Sequence, residues 1–160
     1  MPSDSIFQRS VDIDAPADLM WRFHLDTRNA PLISPDAATF LAIKGDFPVS
    51  VGSVITLKVR QPPMPIAQTW RVRVGAMIEN RLVTDVAEKS PFARWSHEHR
   101  FEPLGEERTR MTDHITYALP FGPLGRLVDR LFVRRQLAGM FAERHAKTKR
   151  LFEGPDRPTS

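Results

Sequence analysis

Apolar positions along the chain switch between a period near two and a period near three and a half. Residues 7–14 alternate loosely and stop at Asp14-Ala15-Pro16, which opens a helix because proline fits the first helical turn. Over residues 17–25, Leu19, Met20 and Phe23 share one face at helical spacing. Pro31 and Pro35 limit a second helix to one or two turns. Strand-like segments follow at 39–44, 53–60, 66–79 and 81–88, separated by Gly45, Pro48, Gly52 and the prolines at 62, 63 and 65. In the third of these, Gln68, Trp70, Val72, Val74 and Ala76 fall on one face, with Arg71 and Arg73 on the other.

The clearest strand pair is 94–101 with 109–119. A loop over 104–108 sets Phe101 opposite Met111, His99 opposite Asp113, His97 opposite Ile115 and Trp95 opposite Tyr117. A slip of one residue would put Phe101 against Arg110 and waste both faces.

After Pro120-Phe-Gly-Pro123 the pattern becomes helical to residue 153. Leu127, Leu131, Ala138, Phe141, His145, Thr148 and Phe152 recur at threes and fours, and Gly139 weakens the helix by about 1 kcal/mol relative to alanine. A kink is expected near residues 134–139. The order is strand, two short helices, six strands, one long helix. The class is α+β: a curved seven-stranded antiparallel sheet wrapped around the C-terminal helix, with two short helices after the first strand. One helix cannot fill so large a concavity, so space should remain between them. Residues 1–153 are expected to form one domain, and 154–160 a flexible tail.

Cysteine is absent, which excludes disulfide scaffolds, thiolate metal sites and cysteine nucleophiles and fits a cytoplasmic setting. No apolar run reaches the ~20 residues of a membrane span, and residues 1–10 lack a signal-peptide core. Net charge is +4, but residues 124–153 alone carry +5. A solvated face is the favoured reading of that helix; the alternative is weak contact with an anionic membrane surface. No element reads nucleic acid.

The segments Val11-Asp-Ile-Asp-Ala-Pro-Ala-Asp-Leu-Met-Trp21, Pro91-Phe-Ala-Arg-Trp95-Ser-His97-Glu-His99-Arg-Phe101-Glu-Pro103, Asp113-His-Ile-Thr-Tyr117-Ala-Leu-Pro120-Phe-Gly-Pro-Leu-Gly125 and Met140-Phe-Ala-Glu-Arg144-His145 resemble the START-like, or SRPBCC, superfamily of polyketide cyclases and birch-pollen-allergen-like proteins, in particular its bacterial ligand-binding members. The resemblance implies a helix-grip fold whose cavity holds apolar or amphipathic small molecules. It supplies no reaction.

His97, His99 and Asp113 fall on the inward face among apolar neighbours. A buried carboxylate needs a partner, and His99 is placed to be one. The cluster reads first as a satisfied polar group that fixes register, then as a group that orients a ligand's carbonyl or hydroxyl. Metal binding is the weakest reading, and no metal or cofactor is expected. The same three residues are the candidates for acid–base catalysis, yet no nucleophile or oxyanion motif accompanies them, so binding is favoured over a cyclase- or dehydratase-like activity. Trp70, Trp95, Phe101, Met111, Ile115, Tyr117, Phe132 and Phe141 join the cluster as candidate pocket walls. The expected partner is a hydrophobic lipid-, polyketide- or aromatic-like molecule, bound by a monomer or homodimer.

Overall fold

The computed structural model describes residues 4–159. β1 (Ser5–Ile13) leads through Pro16, whose extended backbone precedes α1 (Ala17–His24). Asp18 in the first turn and Arg22 in the last complement the helix dipole. A single 3₁₀ turn (Thr27–Asn29), capped by the Asp26 side chain, runs into α2 (Ala30–Ile33). Pro35 stops α2 by forcing Ser34 into extended backbone.

β2 (Thr39–Lys44), β3 (Val54–Arg60), β4 (Gln68–Ile78), β5 (Leu82–Lys89), β6 (Arg94–Gly105) and β7 (Arg108–Ala118) complete an antiparallel sheet in the order β1-β7-β6-β5-β4-β3-β2. The β6–β7 register holds the four expected pairs, Phe101–Met111, His99–Asp113, His97–Ile115 and Trp95–Tyr117. The hairpin is tighter than the expected loop: pairing continues to Gly105–Arg108 across an irregularity at Pro103. On the outer face, Arg110 pairs with Asp12, Arg71 and Arg73 share Glu88, and Arg100 meets Glu98.

Two expectations about facing residues fail for the same reason, an extra residue. In β4 the register shifts between Val74 and Ala76, so Ala76 turns outward and Met77 takes the inward place. The C-terminal helix is likewise not one regular rod. α3 (Gly122–Val128) passes through a wide π-helical turn (Asp129–Val133) into α4 (Arg134–Glu153). The break thus lies before the expected kink, and Gly139 sits inside continuous helix. The inward seam is Gly125, Asp129, Val133, Leu137, Phe141 and His145, steps of four that a straight α-helix could not keep in line; the wide turn absorbs the excess. Leu127, Leu131 and Ala138, assigned to the seam from spacing alone, are exposed.

Asp129 pins that turn. Its buried carboxylate accepts from the Tyr117 hydroxyl at 2.5 Å, from Ser5 Oγ at 2.7 Å and, more loosely, from Arg134 Nε at 3.4 Å. The core divides into three clusters. One joins α1, β1 and Phe152 at the end of α4, with Met20, Phe101 and Met111. A second lies under β3–β5 with Ile55, Val74 and Val83, and a third joins Ile115, Tyr117, Leu137 and Phe141. Residues 154–159, expected as a tail, make a turn in which Arg157 reaches Glu107. No helix among the described residues is long and apolar enough to cross a membrane.

Tyr117→Phe leaves a buried carboxylate one donor short while preserving the ring. Urea denaturation should show a loss of about 2 kcal/mol, the usual worth of a hydrogen bond to a charged group. A change within experimental error would show that Asp129 does not need this donor.

Candidate functional site

Between the concave sheet, α1, α2 and α4 lies a cavity of about 380 Å³. Trp70 from β4, Phe92 and Trp95 before and within β6, and Met140 and Phe141 from α4 supply its aromatic and sulfur-bearing wall. Trp70 and Trp95 meet edge to face at 5.3 Å, and Phe92 stands 4.7 Å from Trp95. The 61–64 loop closes one side, where Gln136 of α4 donates to the carbonyl of Pro62. A second cleft, about 420 Å³, lies outside α3 against Ser5, Pro120 and Asp129. Its one buried acid, Asp129, is already occupied by the donors described above.

Of the residues picked from sequence, Trp70, Trp95, His97, His99 and Phe141 line the cavity. Phe101, Met111, Ile115 and Tyr117 do not: each is sealed in the packed core. Phe132 is misplaced altogether, 65% exposed on the outer side of the π-turn, because the change of helical phase carries it away from the sheet. Asp113 is fully buried behind the two strand histidines rather than on the wall.

Asp113 accepts three hydrogen bonds. His97 Nε2 lies 2.7 Å and His99 Nδ1 2.9 Å from Oδ1, and His145 Nε2 reaches Oδ2 from α4 at 2.6 Å. Burial alone would raise this carboxyl; the imidazole donors, His145 foremost, hold it well below the usual range. An ionised carboxylate only accepts, so all three nitrogens donate. His99 turns its other nitrogen, Nε2, to Asp85 at 3.4 Å. Burial disfavours its charge, but the bonds to Asp113 and Asp85 outweigh that and raise its pKa. His97, with ring centroid only 3.9 Å from that of His99, is driven to about 4 by burial and by the charge of His99. It is therefore neutral, and because Nε2 donates to Asp113, its Nδ1 carries a lone pair.

Two further histidines complete the group. His145 lay on the expected helical seam, but nothing in its spacing announced Asp113 as its partner. His24, at the end of α1, was not singled out at all. Its Nδ1 lies 2.7 Å from the Met20 carbonyl, which can only accept, so Nδ1 donates. Burial, then the charges of His99 and Arg144, lower its pKa to about 3. The neutral ring leaves Nε2 as a buried acceptor without a partner; Trp70 Nε1 is a buried donor in the same condition.

His97, His99 and Asp113 could offer an ion three donor atoms within 4.8 Å of one another. Two ligands of one zinc stand about 3.3 Å apart, whereas these imidazole–carboxylate contacts have the length of charge-assisted hydrogen bonds. The geometry is that of a proton-linked cluster.

A long helix gripped by a curved seven-stranded sheet over a polar-floored cavity defines a helix-grip protein. The chain belongs to the family described as polyketide cyclase / dehydrase and lipid transport, whose model matches residues 5–153. No curated protein matches the chain in sequence. Among solved structures, Zhui aromatase/cyclase from Streptomyces sp. R1128 is similar at 19% identity and TM-score 0.68, covering 92% of this chain and 96% of that one. Norcoclaurine synthase from Thalictrum flavum, in complex with dopamine and hydroxybenzaldehyde, is similar at 13% identity and TM-score 0.66, covering 92% and 87%. A protein of Chromobacterium violaceum reaches TM-score 0.71 at 11% identity, covering 94% and 99%. At these identities the likeness is one of fold.

The histidine charges fix a pH dependence. His24 and His97 stay neutral in the fold while their unfolded counterparts take up protons below 6.5, so stability should fall as pH drops from 6.5 toward 4. Each contributes a slope of up to about 1.4 kcal/mol per pH unit. His99, shifted upward, acts oppositely: its contribution is complete below 6.5 and is lost as pH rises through its folded value. Urea denaturation across this range should show the acid slope, and His24→Gln should remove roughly half of it. An undiminished slope in that variant would exclude His24 as a source.

Proposed function

We propose that the protein binds a hydrophobic or amphipathic small molecule, of lipid, polyketide or aromatic type, in the cavity between sheet and α4. The observation that carries this reading is the pairing of an aromatic wall, formed by Trp70, Trp95, Phe92 and Phe141, with buried polar atoms of cavity-lining residues that have no partner, His24 Nε2 and Trp70 Nε1. Apolar contact, at about 25 cal/mol per Å² buried, supplies most of the driving force. The polar atoms discriminate among ligands that fit. Family membership supports the same reading, as does the binding of aromatic compounds by norcoclaurine synthase in a similar fold.

His97, not His99, is the discriminating residue in this reading, since both nitrogens of His99 face carboxylates. Titration with 2-naphthalenemethanol, followed through Trp70 and Trp95 fluorescence, should give saturable one-to-one binding. Trp95→Ala should weaken every ligand of a panel by about tenfold or more. His97→Leu should erase the preference for 2-naphthalenemethanol over 2-methylnaphthalene while retaining the hydrocarbon. The reverse pattern would refute this division of roles. Native mass spectrometry of protein purified from its host would show the mass of a retained ligand.

One observation favours an enzymatic reading beside this. Two imidazoles stand in contact with their pKa values driven apart, His97 lowered to about 4 and His99 raised, which leaves His97 a free base in a buried site. A cyclisation or dehydration of an oxygenated substrate would use His97 Nδ1 as base, with His99 fixed beside it by Asp113 and Asp85. His97→Gln should then abolish turnover without abolishing binding.

Membrane contact has a specific surface to support it, the first half of the expected basic segment. Lys147 and Lys149, from the basic second half of α4, are engaged with Ser34, Asp36, Asp12 and Glu153. Around α3 and the π-turn, Phe121, Leu124, Leu127, Leu131 and Phe132 are exposed, Phe121 by 80%. Arg126, Arg130, Arg134 and Arg135 surround them. Apolar side chains rimmed by arginines suit an anionic bilayer. Vesicles of phosphatidylglycerol at low salt should co-sediment the protein and those of phosphatidylcholine should not, with Phe121→Ser plus Phe132→Ser abolishing the effect. Failure to bind anionic vesicles would retire this contact.

A further inference from the structure

We propose that the ligand carries a carboxylate or an equivalent small anionic head, and that Arg144 receives it. This inference rests on the cavity reading above and gives the ligand a charge. Arg144 stands on α4 between Phe141 and His145 and lines the cavity, partly buried. Its Nε is shut off from solvent and has no acceptor. Among the described residues no carboxylate pairs with its guanidinium, and the side chain makes no hydrogen bond.

The neighbouring charges show how unusual that is. Arg28, beside the cavity, holds Asp26 through a fork of contacts at 2.6–3.2 Å. Lys147 and Lys149, one turn along α4, have the partners already named. The two carboxylates on the cavity wall are both engaged, Asp26 by Arg28 and Asp85 by His99. Glu143, adjacent in sequence, accepts from the backbone of Asp36 on the other side of the helix. The protein thus directs a cation into its cavity and provides no anion to meet it.

A guanidinium cannot escape this cost by losing its proton, unlike the buried histidines around it. Its planar fork matches a carboxylate with two parallel hydrogen bonds, which in a partly desolvated site are stronger than in water. The lowered pKa values of His24 and His97, to which the Arg144 charge contributes, place that charge within electrostatic reach of both cavity imidazoles. A bound anionic head would therefore lie at the polar end, with the hydrophobic body against Trp70, Trp95 and Phe92. The ligand class is an aromatic or aliphatic carboxylic acid. A cationic amine of the same shape would be repelled.

Three probes of one shape separate the alternatives: 2-naphthoate, 2-naphthalenemethanol and 2-naphthylmethylamine, titrated at neutral pH and low salt. The wild-type protein should bind the acid about tenfold to a hundredfold more tightly than the alcohol, the range of a charge-assisted pair, and the amine most weakly. Arg144→Gln should bring the acid to parity with the alcohol, while Arg144→Lys keeps part of the preference. Equal binding of acid and alcohol by the wild type would overturn this inference and leave the cavity reading standing. So would an acid preference that survives Arg144→Gln, or a loss of alcohol binding in that variant, which would mark Arg144 as structural. Binding of none of the three probes to the wild type would overturn the cavity reading together with this one.

Discussion

The structure turns on one carboxylate. Asp113 sits on β7 with no exposure to solvent, and its two oxygens accept hydrogen bonds, one from β6 and the other from α4. An ionised group in that position would cost several kcal/mol if left unpaired. Three imidazoles remove the cost, and in doing so they tie the two central strands to the helix that lies across them. The ties have direction, whereas the apolar contacts around them do not. They therefore set both the register of the strands and the rotation of α4 about its axis, and the rotation decides which side chains face the cavity.

That arrangement also divides the histidines by charge. Of the two strand histidines His99 is the one whose pKa is raised, because Asp113 and then Asp85 outweigh the cost of its burial. Its charge then acts on its neighbours. Burial first, and the charge of His99 second, keep His97 and His24 neutral, each with a lone pair. The polar end of the cavity is consequently patterned: an imidazole of raised pKa held between two carboxylates, two neutral imidazoles and, on α4, a guanidinium. The same residue types spread over a solvated surface would not hold such different protonation states.

How much of this could be read from the chain depended on whether the relevant contact obeys a period. The β6–β7 pairing was legible because a period of two leaves one register in which Phe101 meets Met111 and Trp95 meets Tyr117. The meeting of His97 and His99 with Asp113 followed from it. Features that break a period were not legible. The irregularity at Gly75 exchanged Ala76 for Met77, and the π-turn moved Leu127, Leu131 and Phe132 to the surface. His24 and Arg144 belong to a third kind. Nothing local distinguishes them from ordinary solvated helix residues, and their importance arises from what stands opposite in space. An unpaired charge or lone pair is a property of the assembled fold, visible only once every candidate partner has been located.

The fold by itself does not choose among ligands. Similar sheets and helices at 11–19% identity belong to an aromatase/cyclase, to a norcoclaurine synthase and to the protein of Chromobacterium violaceum. What the shared architecture supplies is a concavity that one helix cannot fill, with strand positions at which inward side chains can change without disturbing the outer face. In this chain those positions hold imidazoles and indoles, and the helix adds a guanidinium. A core built only for stability would place apolar groups there, because replacing buried ions with well-packed hydrophobic residues is often neutral or favourable. Asp113 and its three donors can be explained as architecture. Arg144, His24 Nε2 and Trp70 Nε1 cannot, since each is partly or wholly removed from water and none has a partner in the protein. His145 Nδ1 is orphaned as well, but away from the cavity; His24, Trp70 and Arg144 line it, so a bound molecule can complete their polar atoms, and this is the physical reason for regarding the cavity as a binding site rather than a packing defect.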